Sequence, residues 1–189
     1  QKYETRSGTN TPRDFGEMPS KFNEHWMTDS VVLRNYARHY QTGEPMPQEL
    51  IDKFKASANF GQSYALGENL ASVTIDMAWG LLPAGTKITD VDVFEREALT
   101  KSGLPFTLVP PRYRSAYYLH VFGGGYASGY YSYLWTEVLD DNIFDWFQAH
   151  GGMTRENGQR FRDLVISRGN TKPVGTFFTE FTGLTEPDM

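Results

Sequence analysis

Between Gln62 and Leu82 the apolar side chains fall at helical intervals. Leu66, Leu70, Val73, Met77 and Leu81 are spaced 4, 3, 4 and 4 apart, which places them on one face of an α-helix. Pro83 and Gly85 end the run. A stripe this regular is expected to be buried, so the helix needs other elements packed along it. The flanking segments supply helices. Glu17 and Pro19 fit the first turn of a helix starting near Gly16 and carrying Phe22 and Trp26. Further helices are expected over 30–40, from Pro47 through PQELIDKFKASANF, and over DVDVFEREALTKSG, where Thr89 and Asp92 resemble a capping box. A helix over 113–122, TRENGQRFRDLVISRG closed by Gly169, and a last helix over 173–181 before Gly183 complete the set. Residues 1–16 read as a short extended segment and a loop, and LPFTLVPP as an extended connection. With no repeat and no long linker, the chain reads as one mainly α unit.

HVFGGGYASGYYSYLWTEV, from His120 to Val138, carries the densest chemistry. If a helix starts after Gly125, then Tyr126, Tyr130, Tyr133 and Glu137 share a face. Such a row reads in two ways. Tyrosines pack with rings inside and hydroxyls at the rim of helix bundles. Neutral phenols beside an imidazole also suit a polar cleft in which negative charge grows on a carbonyl oxygen.

Composition narrows the function classes. The net charge of −5 argues against nucleic acid as a partner, because phosphate binding needs a basic surface. The absence of cysteine excludes disulfides and thiolate metal sites. No apolar run is long enough to cross a membrane as a helix. The four histidines, His25, His39, His120 and His150, form no H-E-x-x-H pair. Glu17 and His25 stand about 12 Å apart along one helix and cannot share an ion there. No G-x-S-x-G elbow, P-loop or dinucleotide glycine pattern is present. His25, His39 and His150 read as surface or packing residues, and Trp26, Trp79, Trp135 and Trp146 as core. Arg112 and Arg114 suit either a substrate carboxylate or salt bridges at helix ends.

Three stretches, SGTNTPRDFGEMPSKFNEHW, PPRYRSAYYLHVFGGGYASGYYSYLWTEVL and GGMTRENGQRFRDLVISRGN, resemble, in order, the C-terminal part of bacterial peptidyl-dipeptidases. These are zinc metallopeptidases related to thimet oligopeptidase and oligopeptidase A. The resemblance implies an almost entirely helical, zincin-like fold with a deep channel and an enzyme that releases dipeptides from the C-termini of oligopeptides. By resemblance, Glu17 matches the third zinc ligand, with Asp14 as its candidate partner. His120 and Tyr133 match catalytic groups that stabilise the transition state. Tyr126 matches a substrate-binding group, Tyr130 lies on the same face, and Arg112 is a candidate for the substrate carboxylate. The H-E-x-x-H helix does not occur in this sequence. The chain therefore reads as the C-terminal segment, over residues 1–189, of a longer catalytic domain. That segment is expected to be inactive and metal-free by itself and to self-associate without the N-terminal part of the enzyme. The resemblance implies a cytoplasmic or periplasmic parent. Two other readings stay open: a non-catalytic helical module that binds peptides, and an inert self-associating segment.

Overall fold

The computed structural model describes residues 3–8, 10–104 and 108–189. The structure is helical, with no strand among the described residues and one isolated antiparallel bridge, Arg38 with Pro45. The helices are α1 (Arg13–Gly16), α2 (Met18–Glu24), α3 (Ser30–Tyr36), α4 (Gln48–Ala56), α5 (Gln62–Gly80), α6 (Val91–Lys101), α7 (Leu119–Phe122), α8 (Ser132–Ala149), α9 (Arg155–Phe161) and α10 (Val174–Thr182). The chain divides into two compact units, Gln1–Ala58 with Tyr133–Met189, and Asn59–Ser132.

The first unit joins both ends of the chain around an aromatic core. α1 and α2 contribute Phe15, Met18 and Phe22, α8 contributes Ile143 and Phe147, α9 contributes Phe161, and α10 contributes Phe177 and Phe181. Ring centroids of Phe22 lie 4.6 Å from Phe161 and 5.0 Å from Phe147, within the range favoured by aromatic pairs. Tyr3 and Ser7 are extended on either side of a 3-10 turn at Glu4–Arg6. Arg6 holds this end in place: its guanidinium donates to the Asn170 carbonyl at 2.7 Å, and its carbonyl accepts from the Asn170 amide at 2.9 Å. Gly169 makes that approach possible, because a Cβ there would collide with the Arg6 carbonyl. α3 stops at Tyr36, short of the expected Tyr40. The backbone turns at Ala37 (ψ 84°) and closes a short loop in which the His39 amide donates to the Glu44 carbonyl at 2.8 Å. α9 is capped by the Thr154 hydroxyl and runs into a π-helical turn at Arg162–Ile166. α10 ends at Gly183, whose φ is 82°, a left-handed conformation suited to glycine.

The second unit departs most from expectation. α5 is present over nearly the expected span, but the face it buries is Ala71, Ser72, Ile75 and Asp76. Leu66, Leu70 and Leu81 are 51%, 37% and 74% exposed, and Val73 and Met77 are half-buried. The buried-stripe expectation is corrected accordingly: Ala71, Ser72, Ile75 and Asp76 form the inward side, and the three leucines stay partly exposed. α6 is capped by Asp90, which accepts from the Val93 amide at 2.9 Å, and not by a Thr89–Asp92 box. The expected helix over 113–122 is a 3-10 turn, Ser115–Tyr117, followed by the single turn of α7. Its opening is unwound because the Glu95 carboxylate takes the Ser115 amide and the Arg114 side chain. Residues 105–107 of the expected extended connection lie outside the described residues. Among the tryptophans, Trp135 is exposed rather than core.

Candidate functional site

The glycine run folds as a tight loop. The Gly124 amide donates to the Leu119 carbonyl at 2.6 Å, and the Tyr126 amide donates to the His120 carbonyl at 2.9 Å. Gly124 is required, since a Cβ would stand 3.0 Å from both Cα and O of His120. The chain stays non-helical through Tyr131. Asp76 is the cause: its buried carboxylate accepts from the Ser128 amide at 2.7 Å and the Tyr130 amide at 2.9 Å. Taking those two donors removes them from any helical ladder. Ser128 itself has φ 53°. The helix begins only at Ser132, so Tyr126, Tyr130, Tyr133 and Glu137 do not form a row on one helix face.

The loop still gathers the phenols. The His120 ring lies 5.9 Å from Tyr126, 5.8 Å from Tyr130 and 5.4 Å from Tyr113. Tyr113 stacks on Tyr118 at 4.7 Å with an interplanar angle of 1°, and Tyr118 meets Tyr130 edge-on at 5.2 Å. Arg112 places its guanidinium carbon 5.5 Å from the Tyr113 ring centre, a cation–π distance. His120, Tyr126, Tyr130 and Arg112 therefore belong to one cluster within the second unit.

Tyr113 and Tyr118 were not foreseen as members. A continuous helix over 113–122 puts these two, five residues apart, on different faces; the unwound turn stacks them.

Burial decides what each phenol can do. Tyr118 is 1% exposed and its hydroxyl donates to the Ser72 carbonyl at 3.2 Å. Burial pushes its phenol far up. Burial and the neighbouring Tyr113 push Tyr130 up to about 12. Both remain neutral near pH 7 and act as hydrogen-bond donors. His120 and Tyr126 are half-buried and Arg112 is exposed.

Arg114 serves structure. It pairs with Glu95 and, at 2.5 Å, with Asp92. Burial acts on Glu95 in the opposite sense, but the bonds from Ser115 and Arg114 win and hold its carboxyl below the usual range. The cleft of about 540 Å³ beside this pair, floored by Trp79 and Phe122, includes none of His120, Tyr126, Tyr130 or Arg112.

Two expected site residues lie in the first unit. Glu17 joins α1 to α2, half-buried, and its carboxylate accepts from the Ser20 hydroxyl at 3.2 Å. Tyr133 is the second residue of α8, half-buried, and its carbonyl accepts from the Thr136 hydroxyl. A zinc ion in a hydrolytic site takes three protein ligands and an open position. A cluster of three metal-ligating groups among the described residues, His25 with Asp140 and Asp141, does not contain Glu17. Among the described residues, no set of three metal-ligating groups that includes Glu17 is gathered.

Known proteins give this arrangement a context. The model of Peptidase family M3 matches residues 1–188. The chain is 48% identical over 183 residues to the dipeptidyl carboxypeptidase of Escherichia coli (strain K12), covering 97% of the chain and 27% of that protein. It is 36% identical over 185 residues to the oligopeptidase A of the same organism, covering 94% and 26%. It is 36% identical over 177 residues to the organellar oligopeptidase A of Arabidopsis thaliana, covering 90% and 22%. The chain spans about a quarter of the length of these relatives.

Proposed function

The chain belongs to Peptidase family M3, and from that premise we propose that it is part of the catalytic domain of a zinc-dependent peptidyl-dipeptidase that releases C-terminal dipeptides from oligopeptides. The packing of His120 against Tyr126, Tyr130 and Tyr113, with Arg112 over Tyr113, supports this reading. The dipeptidyl carboxypeptidase identity, higher than that to oligopeptidase A, supports the exopeptidase branch.

Each residue then has a task. His120 and Tyr126, half-buried at the edge of the cluster, donate hydrogen bonds to the peptide carbonyl oxygen as negative charge develops on it. Tyr133 is a further donor of the same kind. Tyr130 is buried and packs against the His120 ring, keeping it in place before substrate arrives. Arg112 is exposed and takes the free carboxylate of the substrate, a partner its planar fork matches. That contact sets the distance from the chain end to the bond cut. Glu17 is one carboxylate ligand of the zinc. The histidine pair and general base of an H-E-x-x-H helix come from a part of the protein outside this sequence, so the 189-residue chain alone cleaves no peptide.

The test uses a longer protein carrying this sequence together with its H-E-x-x-H segment. Dipeptide release and zinc content are measured for wild type, Glu17→Gln and Tyr126→Phe. Glu17→Gln is expected to lose zinc and activity together. Tyr126→Phe is expected to keep zinc and lose about 10²-fold in kcat, the usual cost of one donor to a developing oxyanion. Full zinc content in Glu17→Gln overturns the ligand assignment.

A further inference from the structure

His25 closes α2 and opens a 3-10 turn, His25–Thr28, while Asp140 and Asp141 lie in the middle of α8. Folding of the first unit brings these distant segments together. The His25 imidazole Nε2 stands 3.1 Å from Oδ2 of Asp140 and 3.4 Å from Oδ1 of Asp141. One donor atom from each residue lies within 4.8 Å of the others. We propose that His25, Asp140 and Asp141 form a binding site for a first-row divalent cation, with the imidazole Nε2 and one oxygen of each carboxylate as ligands.

Four observations carry the assignment. The first is spacing. Tetrahedral ligands at bond lengths of about 2.0–2.1 Å stand about 3.3 Å from one another, and the two imidazole–carboxylate distances bracket that value. The second is an orphan atom. Asp140 is 2% exposed, and its Oδ1, on the same carboxylate whose Oδ2 meets the imidazole, has no hydrogen-bond partner. A buried carboxylate that is only half satisfied is costly, and a cation held by that carboxylate offsets part of the cost. The third is charge. With neutral His25 the set carries two negative charges. Glu24, Glu137 and Asp145 add to the negative field, and besides His25 itself Lys21, 3.2 Å from Glu24, acts on both aspartates as a positive charge. The fourth is preorganisation and access. The His25 ring stacks on Phe144 at 4.3 Å with an interplanar angle of 9°, which fixes the aim of Nε2. The Asp141 side chain is 59% exposed, so an ion can enter and water can complete its shell. One nitrogen and two carboxylate oxygens suit zinc, cobalt or manganese better than softer ions.

The site differs from the alternative occupant of the same space, a proton on His25 bridging two carboxylates, in needing a metal to show itself. The test is calorimetric titration of the 189-residue chain with Zn²⁺, paired with Co²⁺ titration followed by visible absorption. Uptake of one ion per chain is expected, with cobalt bands typical of mixed nitrogen and oxygen ligands. His25→Gln and Asp141→Asn should each weaken binding at least 10-fold. Asp141 is exposed, so its variant keeps the fold by circular dichroism even where an Asp140 variant does not. His150→Gln, in an exposed histidine stacked on Trp146, should bind like wild type. No saturable uptake below millimolar metal, or equal uptake by His25→Gln and wild type, overturns the proposal. Because the readout is metal uptake by this chain and not peptide cleavage, the outcome is independent of the peptidase reading.

Discussion

The two units differ in what organises their interiors. In the first, phenylalanines from α1, α2, α8, α9 and α10 meet one another in one apolar cluster, with Thr136, Asp140, Asn142 and Asn157 buried elsewhere in the unit. In the second, α5 turns Ala71, Ser72, Ile75 and Asp76 inward, α6 buries Glu95, and the leucines point to solvent. Its interior is held by carboxylates that accept backbone amides: Asp76 from Ser128 and Tyr130, Glu95 from Ser115. The first unit is stabilised by removal of apolar area from water, which is non-directional. The second depends on directional bonds that hold the segments before and after α7, and those segments with α7 carry His120 and its phenols. Rigid placement of a few polar side chains needs such clamps more than it needs apolar volume.

The contrast predicts its largest effect in the first unit. Phe181 is fully buried and packs 4.6 Å from Trp146 and 5.6 Å from Phe161. Phe181→Ala removes that ring and leaves a cavity, at a cost of about 3–5 kcal/mol. Urea unfolding followed by circular dichroism should lose that stability. A cost below about 1 kcal/mol would show that the aromatic cluster is loosely packed.

A smaller, pH-dependent effect is expected in the second unit. The Glu95 carboxyl titrates below its ordinary value because the folded state favours the charged form through Ser115 and Arg114. A group depressed in this way adds stability above its unfolded pKa and loses it as pH falls through the folded one. That loss should fall below pH 4.5, the ordinary value for this group. Trp79, whose Nε1 donates to the Ser115 hydroxyl at 2.7 Å, reports the event by fluorescence. Glu95→Gln should cost about 1.5–3 kcal/mol near neutrality and flatten the acid limb. An unchanged acid limb in the variant would assign the transition to other carboxylates.

What was legible in the sequence follows the same division. Most of the helices announce themselves through local periodicity and punctuation, and Pro47, Pro173 and Gly183 mark boundaries that the structure keeps. His120, Tyr126, Tyr130 and Arg112 stand out in the sequence, but as a helical row and by resemblance, and it is a loop that gathers them. The unwound segment after Gly125 does not follow from short-range sequence, because Asp76, more than 50 residues away, decides it. Local spacing favours a helix there, and a distant carboxylate overrides it. The meeting of His25 with Asp140 is hidden for the same reason, since no local motif spans their separation of 115 residues. The face of α5 was misread for another cause. Periodicity identifies an apolar side of a helix, but burial also depends on what packs there, and small residues allow the loop to approach on the opposite side.

The smallest effect on folding is therefore predicted where the sequence pattern is strongest. Leu66 and Leu70 are 51% and 37% exposed, so replacing both with Gln removes little buried area. The expected change in unfolding free energy is within about 0.5 kcal/mol, the range of ordinary surface substitutions. Association should respond much more. If these exposed apolar residues, one helical turn apart, form part of a contiguous patch, that patch is a face for a second copy. Sedimentation velocity across a broad concentration range should show wild-type chains assembling and Leu66→Gln/Leu70→Gln chains shifting toward monomer. If the double variant instead loses several kcal/mol of stability, the two leucines belong to the interior of the second unit after all. Its core would then resemble that of the first, and the division between apolar packing and polar clamping would fail.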